Sequence, residues 1–447
     1  MPGKSLSRWT MAWFGSALLF LLGACAMALF GLAGPGEWSR GAGMAVVHLF
    51  VLGWLCQVML GALIQFVPVL AARPLAFPGL ALPALAFSSA GIMALAAGFL
   101  TLDGHEALRP LFLLGPFSIG AAFMLVAVTV GATVLHRACL RLAEVRLVVL
   151  AMVALSGLWL SGAVMALTLA GTRIAVDLTE ALPLHMLLGL GGWLSLAAFG
   201  VSYKLFAMFL LAPEQGGMVR RAVFLTAVLV VALALWALCL LLAGRSGGRA
   251  VSVAIGLVPA LTMIYLGEIT RLWRSRRRPV PEANMLWSRM GLLFLALAAL
   301  LIVPGWQFGG VWAEAAVFVA LVGWLSLLTL AQMVKIVSFL TWVQIFAPRI
   351  GRQPVPVVQK LSDARAVASG LAFWSVGTVV GCLALLLGSS GGFLFAVLLL
   401  TLGALGVMRE LIAIRHLSHL EPAERPACLP HLVLPFTFSR ARAEARS

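Results

Sequence analysis

Seven histidines occur in this 447-residue chain, and only His48 and His185 fall inside long apolar runs. A neutral imidazole is the commonest side-chain donor to haem iron and to copper. An unpaired imidazole is costly in lipid, so a histidine there faces a bundle interior or a cofactor. His48 opens "HLFVLGWLCQVMLGALIQFVPVL" and His185 opens "HMLLGLGGWLSLAAFGVSYKLFAMFLL". At 1.5 Å rise per residue His48 lies roughly 7 Å inside its run. His185 follows Pro183 closely and is nearer the interface. Each residue has two readings, a haem or metal ligand and a satisfied structural histidine. They are the candidate cofactor-binding and metal-binding residues; no catalytic residue stands out.

Other groups with chemistry surround them. The thioethers of Met59, Met186, Met208 and Met333 are soft donors by type, and also ordinary packing. Asp177 and Glu180 precede His185 on a loop, and Glu314 precedes the tenth run; a solvated loop is the plainer reading of each. Glu268 is expected to pair with the arginines that follow it. His416, His419, Cys428 and His431 form an HxxH-x8-CxxH pattern whose residue types suit zinc or copper, in a proline-broken basic tail. Six cysteines show no CxxC pair and no framework spacing, so no structural disulfide is expected. The chain contains no P-loop, dinucleotide fingerprint, HExxH or nucleophile elbow.

The elements that must position these residues follow from composition. The chain is 62% hydrophobic and 10% charged, with a net charge of +16 and a mean hydropathy of +1.08. Twelve apolar runs are long enough to cross a bilayer, at roughly 10–33, 43–70, 77–101, 110–135, 147–171, 183–212, 222–244, 250–270, 286–304, 311–344, 366–388 and 390–412. Lipid leaves backbone polar groups no partner outside helices and closed barrels, and strand alternation is absent. The expected fold is therefore an all-α polytopic bundle. The first run follows Lys4 and Arg8 and reads as a retained helix. With the N-terminus inside, the loops facing inward carry Arg73, Arg137, Arg141, Arg146, Arg220, Arg221 and the run "RLWRSRRRP"; those facing outward carry Arg40, Arg109, Arg173, Arg245 and Arg249. This is the positive-inside pattern with both termini cytoplasmic. The charge accordingly marks topology and affinity for anionic membrane lipids, with no nucleic-acid partner.

A repeat organises the bundle. "GWLSL" occurs at 192–196 and 323–327, and "GWL" at 53–55. Seven residues after each Trp stand Gly61, Gly200 and Ala331; eleven after, Gln65, Lys204 and Lys335; fourteen after, Pro68, Ala207 and Ser338. On a straight helix these offsets return to one stripe with the Trp. The stripes fall on helices 2, 6 and 10, which predicts three quasi-equivalent four-helix units, 1–146, 147–278 and 279–415, and a basic tail over 416–447. Lys204 and Lys335 are expected to snorkel to headgroups. His48 is six residues before its Trp and His185 eight, about 160° apart on a straight helix, so the pair need not face one gap.

Twelve helices with matched helices 2, 6 and 10 resemble subunit I of the haem–copper oxidase superfamily. In that family three arcs of four helices surround three pores, with a haem-ligating histidine on helix 2 and a copper-ligating histidine on helix 6. The resemblance implies those roles for His48 and His185, with haem b and copper as cofactors. It stops there: helix 7, "AVFLTAVLVVALALWALCLLL", and helix 10 carry no histidine, and Gly189 stands where many oxygen reductases have a tyrosine. The chain also resembles the NnrS family of twelve-helix haem–copper membrane proteins, through "H…LGW…G…P" and "KIVSFLTW". Together these imply an inner-membrane protein of nitric oxide or respiratory metabolism, with respiratory-chain components as partners and without a full oxygen-reducing site. A secondary transporter and a metal-free assembly factor are the alternatives. A two-six-helix repeat would favour the first of these.

Overall fold

The computed structural model describes residues 9–213, 216–426 and 429–433; Lys4, Arg8, Cys428 and the end of the basic tail lie outside them. Twelve helices are long and apolar enough to cross a membrane: α1 Thr10–Leu29, α2 Gly41–Ala71, α3 Pro78–Asp103, α4 Glu106–Val134, α5 Ala143–Leu169, α6 Leu178–Leu210, α7 Met218–Leu242, α8 Gly248–Arg274, α9 Ala283–Phe308, α10 Gly310–Arg349, α11 Ala364–Leu386 and α12 Ser390–Arg415. Each matches an expected run within a few residues. No strand occurs among the described residues. An even number of spans leaves both ends of the chain on one face, hereafter the basic face.

Burial sorts the helices. In α2, α6 and α10 the most apolar stretch is 61, 78 and 83% buried, against 28–56% in the other nine. These three form the centre, and the rest pack around them. In each central helix the α-helical hydrogen bonding widens to a π-helix over one eight-residue segment: Leu49–Cys56, Leu187–Leu194 and Val319–Ser326. The three segments contain the three "GW" motifs, so the repeated letters encode a repeated backbone irregularity. A π-turn displaces carbonyls from their usual partners. Two of these are recovered by the serine two residues past the Trp: Ser195 Oγ donates to Leu190 O, and Ser326 Oγ donates to Leu321 O at 2.8 Å.

The motif glycines let the outer helices approach. A Cβ on Gly53 would lie 2.5 Å from the Phe20 ring of α1, one on Gly192 2.7 Å from Ala154 of α5, and one on Gly323 2.8 Å from Phe294 of α9. α1 thus presses on α2, α5 on α6 and α9 on α10 in the same way, as small residues permit in membranes. Trp54, Trp193 and Trp324 are all fully buried. Trp54 Nε1 donates to Ser326 Oγ at 3.0 Å, tying α2 to α10 across the centre.

The basic-face ends of the central helices are polar and paired. Lys335 does not snorkel: its Nζ lies 2.5 Å from Glu282 Oε2, and its side chain is 13% exposed. Arg278 and Gln359 also bond Glu282. Burial pushes the Glu282 carboxyl up, but Lys335 and Arg278 outweigh it and hold the group below the usual carboxylate range. At the matching position Gln65 Oε1 accepts from Thr10 Oγ1 at 3.1 Å. In both units the eleventh residue after the Trp is anchored to the start of the preceding helix. Glu268, 1% exposed, pairs at 3.1 Å with Arg220 of α7, which precedes it in the chain; of the arginines that follow it, Arg271 lies 3.9 Å away.

Candidate functional site: two imidazoles between the central helices

His48 is the last α-helical residue before the first π-segment. Its Nδ1 lies 2.8 Å from Met44 O, one turn earlier. A carbonyl only accepts, so Nδ1 carries the proton and Nε2 keeps its lone pair. The ring lies against Phe99 of α3, with centroids 4.5 Å apart, and Phe99 is in turn braced edge-on by Phe112 of α4 at 5.4 Å. The imidazole is held in both tautomer and orientation, and it is half-buried.

His185 lies two residues before its π-segment on α6. Its Nδ1 is 3.1 Å from Ser161 Oγ of α5. The Ser161 hydroxyl also lies 2.9 Å from Leu158 O; when it gives its hydrogen to that carbonyl, Nδ1–H donates to Ser161 Oγ and Nε2 keeps its lone pair. The ring sits on Gly162, where a Cβ would come within 2.9 Å of its Cε1. Only a residue without a side chain admits the ring there.

His48 is held from the side of α3 and His185 from the side of α5. The partners that fix the rings, Met44 O, Phe99, Ser161 and Gly162, were not legible beforehand. "SG" at 161–162 was a visible small-residue pair, but nothing in it names a histidine on another helix.

The neighbouring carboxylates have other tasks. Asp177 caps α6, accepting from Thr179 Oγ1 at 2.6 Å and Thr179 N at 2.8 Å, and these bonds hold its carboxyl below the ordinary range. Glu180 accepts from Gly247 N at 3.1 Å and Glu314 from Gly36 N at 3.2 Å, so both tie outer loops down. In the tail, His419 Nε2 lies 2.9 Å from buried Glu410, while His416 and His431 border one surface pocket.

The donor set fits one kind of group and not another. An imidazole with Nδ1–H bonded to a protein acceptor and Nε2 free has the arrangement of a haem or metal ligand, and His48 is such a ring. A copper centre built on three or more donors does not fit: among the described residues no group of three or more His, Cys, Asp or Glu is placed to hold a metal ion.

No protein-family model matches the chain, and no curated protein matches it. Among solved structures it is similar to a haem–copper terminal oxidase determined as a dimer by cryo-electron microscopy, with a TM-score of 0.56 and 12% identity, covering 95% of this chain and 84% of that one. At this identity the likeness shows the fold: the chain is an integral membrane protein with the twelve-helix arrangement of that oxidase.

Proposed function

We propose that the protein binds haem b through His48, with His185 as the second imidazole of the same site, and serves nitric oxide or respiratory metabolism without reducing oxygen. The observation that carries this reading is the seating of His48: its Nδ1–H is spent on Met44 O and its ring is held against Phe99, which keeps Nε2 for a ligand. Haem bound there would supply an iron for electron transfer or for binding a neutral gas. The chain's own contribution is to hold the donors. Met44 O and Ser161 Oγ fix the protons, Phe99 fixes the plane of His48, and the apolar helices exclude water. The NnrS-like character read from the sequence and placement in a bacterial inner membrane, basic face inward, belong to the same proposal.

The test is a reduced-minus-oxidised spectrum of protein purified from haem-replete cells. Wild type should show a Soret band, and His48→Ala should lose it while eluting as a monodisperse folded species. Metal analysis and spectra without haem or copper in wild type would reject the reading.

A further inference from the structure

Where α6, α7 and α8 join toward the basic face, three buried polar atoms have no hydrogen-bond partner among the described residues: Tyr203 Oη of α6, Arg220 Nη2 of α7 and Glu268 Oε2 of α8. The side chains that carry them adjoin. Arg220 donates through Nε to Glu268 Oε1 at 3.1 Å, and its guanidinium carbon lies 4.5 Å from the centre of the Tyr203 ring. Arg271 Nη1 stands 3.9 Å from Glu268 Oε2, beyond hydrogen-bond length. Tyr203 and Glu268 are each 1% exposed and the Arg220 side chain 10%, so bulk solvent does not serve the three atoms.

We infer that an ordered water molecule is bound at this junction and joins Tyr203 to the Arg220–Glu268 pair. A buried polar group left unbonded forfeits its hydration without return, and native proteins leave few such groups. A single orphan calls for no ligand; three on adjoining side chains point to a shared partner. Their chemistry selects it. A guanidinium only donates, a carboxylate only accepts and a phenol does either. The guest must therefore accept one hydrogen bond and donate another. An anion would suit Arg220 but meet the Glu268 carboxylate. A metal cation would suit Glu268 but meet Arg220, with Arg271 behind it. Water does both without charge, and a buried water typically makes about three hydrogen bonds. It takes a hydrogen from Arg220 Nη2, gives one to Glu268 Oε2 and bonds Tyr203 Oη. Three helices then share one polar lock, since a bridging water is nearly as favourable as a direct hydrogen bond. The inference does not depend on haem: His185 stands toward the other end of α6.

A high-resolution density map of the full-length protein tests this. It should show one peak at about 2.7–3.2 Å from each of Arg220 Nη2, Glu268 Oε2 and Tyr203 Oη. Tyr203→Phe keeps the ring beneath Arg220 and removes one partner, so the peak should weaken or vanish while the Arg220–Glu268 contact stays. Soaks in bromide and in thallium(I) should leave the junction without an anomalous peak. If the phenylalanine variant does not fold, the wild-type map and the soaks decide. No peak in wild type, direct pairing of Arg220 Nη2 with Glu268 Oε2, a bromide or thallium peak at the junction, or a peak of full strength in Tyr203→Phe would overturn the assignment.

Discussion

The position six residues before the central Trp is His48 on α2 and Phe318 on α10. Both begin or adjoin a π-segment, and both meet a phenylalanine of a neighbouring helix. His48 lies 4.5 Å from Phe99, and Phe318 lies 5.8 Å from Phe393 of α12 while also filling the space above Gly381 of α11. The scaffold therefore accepts a planar ring here in either chemistry. Where it holds a phenyl, the ring only packs. Where it holds an imidazole, one nitrogen is tied to Met44 O and the other is kept free. Phenylalanine already serves the packing role on α10; under the proposed function the imidazole on α2 adds a nitrogen for a ligand.

The strongest way to break this comparison is to remove the difference. His48→Phe should abolish haem absorption completely, while stability falls by only about 1 kcal/mol, as in other shape-conserving core exchanges. A variant that unfolds would show that the imidazole is structural. Haem retained at wild-type level would show that His48 is not the ligand.

The opposite ends of the same helices offer the reverse contrast, in which the third quartet carries the charge. Lys335 is paired inside the protein with Glu282, whereas Gln65 makes a neutral bond to Thr10. Losing a hydrogen bond to a charged group costs about 1.5–3 kcal/mol, and here Arg278 and Gln359 stay on Glu282. Lys335→Met should approach that loss in thermal or chaotrope unfolding. Gln65→Leu should cost about 1 kcal/mol, the usual worth of one neutral hydrogen bond. Equal losses would mean that Lys335 finds a headgroup after all.

Ser161→Ala sharpens the first comparison from the side of α6. It leaves the His185 ring seated on Gly162 but removes the acceptor for Nδ1–H. Loss of such a supporting partner typically weakens ligand affinity 10–100-fold. Titration of the apo-protein with haem should therefore show weaker binding, with unfolding little changed. An unaltered titration would restrict the site to His48.

The smallest expected effect is one of pH. Glu282 has its carboxyl held below the usual carboxylate range, so it binds a proton more readily when unfolded. Its contribution to stability is full above the ordinary carboxylate pKa and disappears as pH falls through the lowered, folded-state value. Unfolding temperatures measured downward from neutral pH should drop across that acid window, and Glu282→Gln should flatten that part of the curve. A variant with the same acid slope as wild type would assign the slope to other carboxylates.

Much of this architecture was written in the residues themselves. Twelve apolar runs determined twelve spans, because lipid admits few other ways to satisfy a backbone. The Trp-centred stripe picked out α2, α6 and α10 as equivalent, and Gly53, Gly192 and Gly323 marked where neighbours press close. Even His48 and His185 stood out by type, since so few polar donors occupy the spans. What required the tertiary structure was every relation between helices. A straight-helix projection has no way to express three π-segments, which change the angle per residue between each histidine and its Trp. It set His48 and His185 on opposed azimuths and named no partner for either, whereas packing places Phe99 against one ring and Ser161 and Gly162 against the other. Lys335 looked free to reach lipid because Glu282 is 53 residues away in the chain; it is the fold of α9 against α10 that puts the carboxylate beside it. Residue type and periodicity follow from local chemistry along one helix. Partnership between buried polar groups is long-range, and only the assembled bundle decides it.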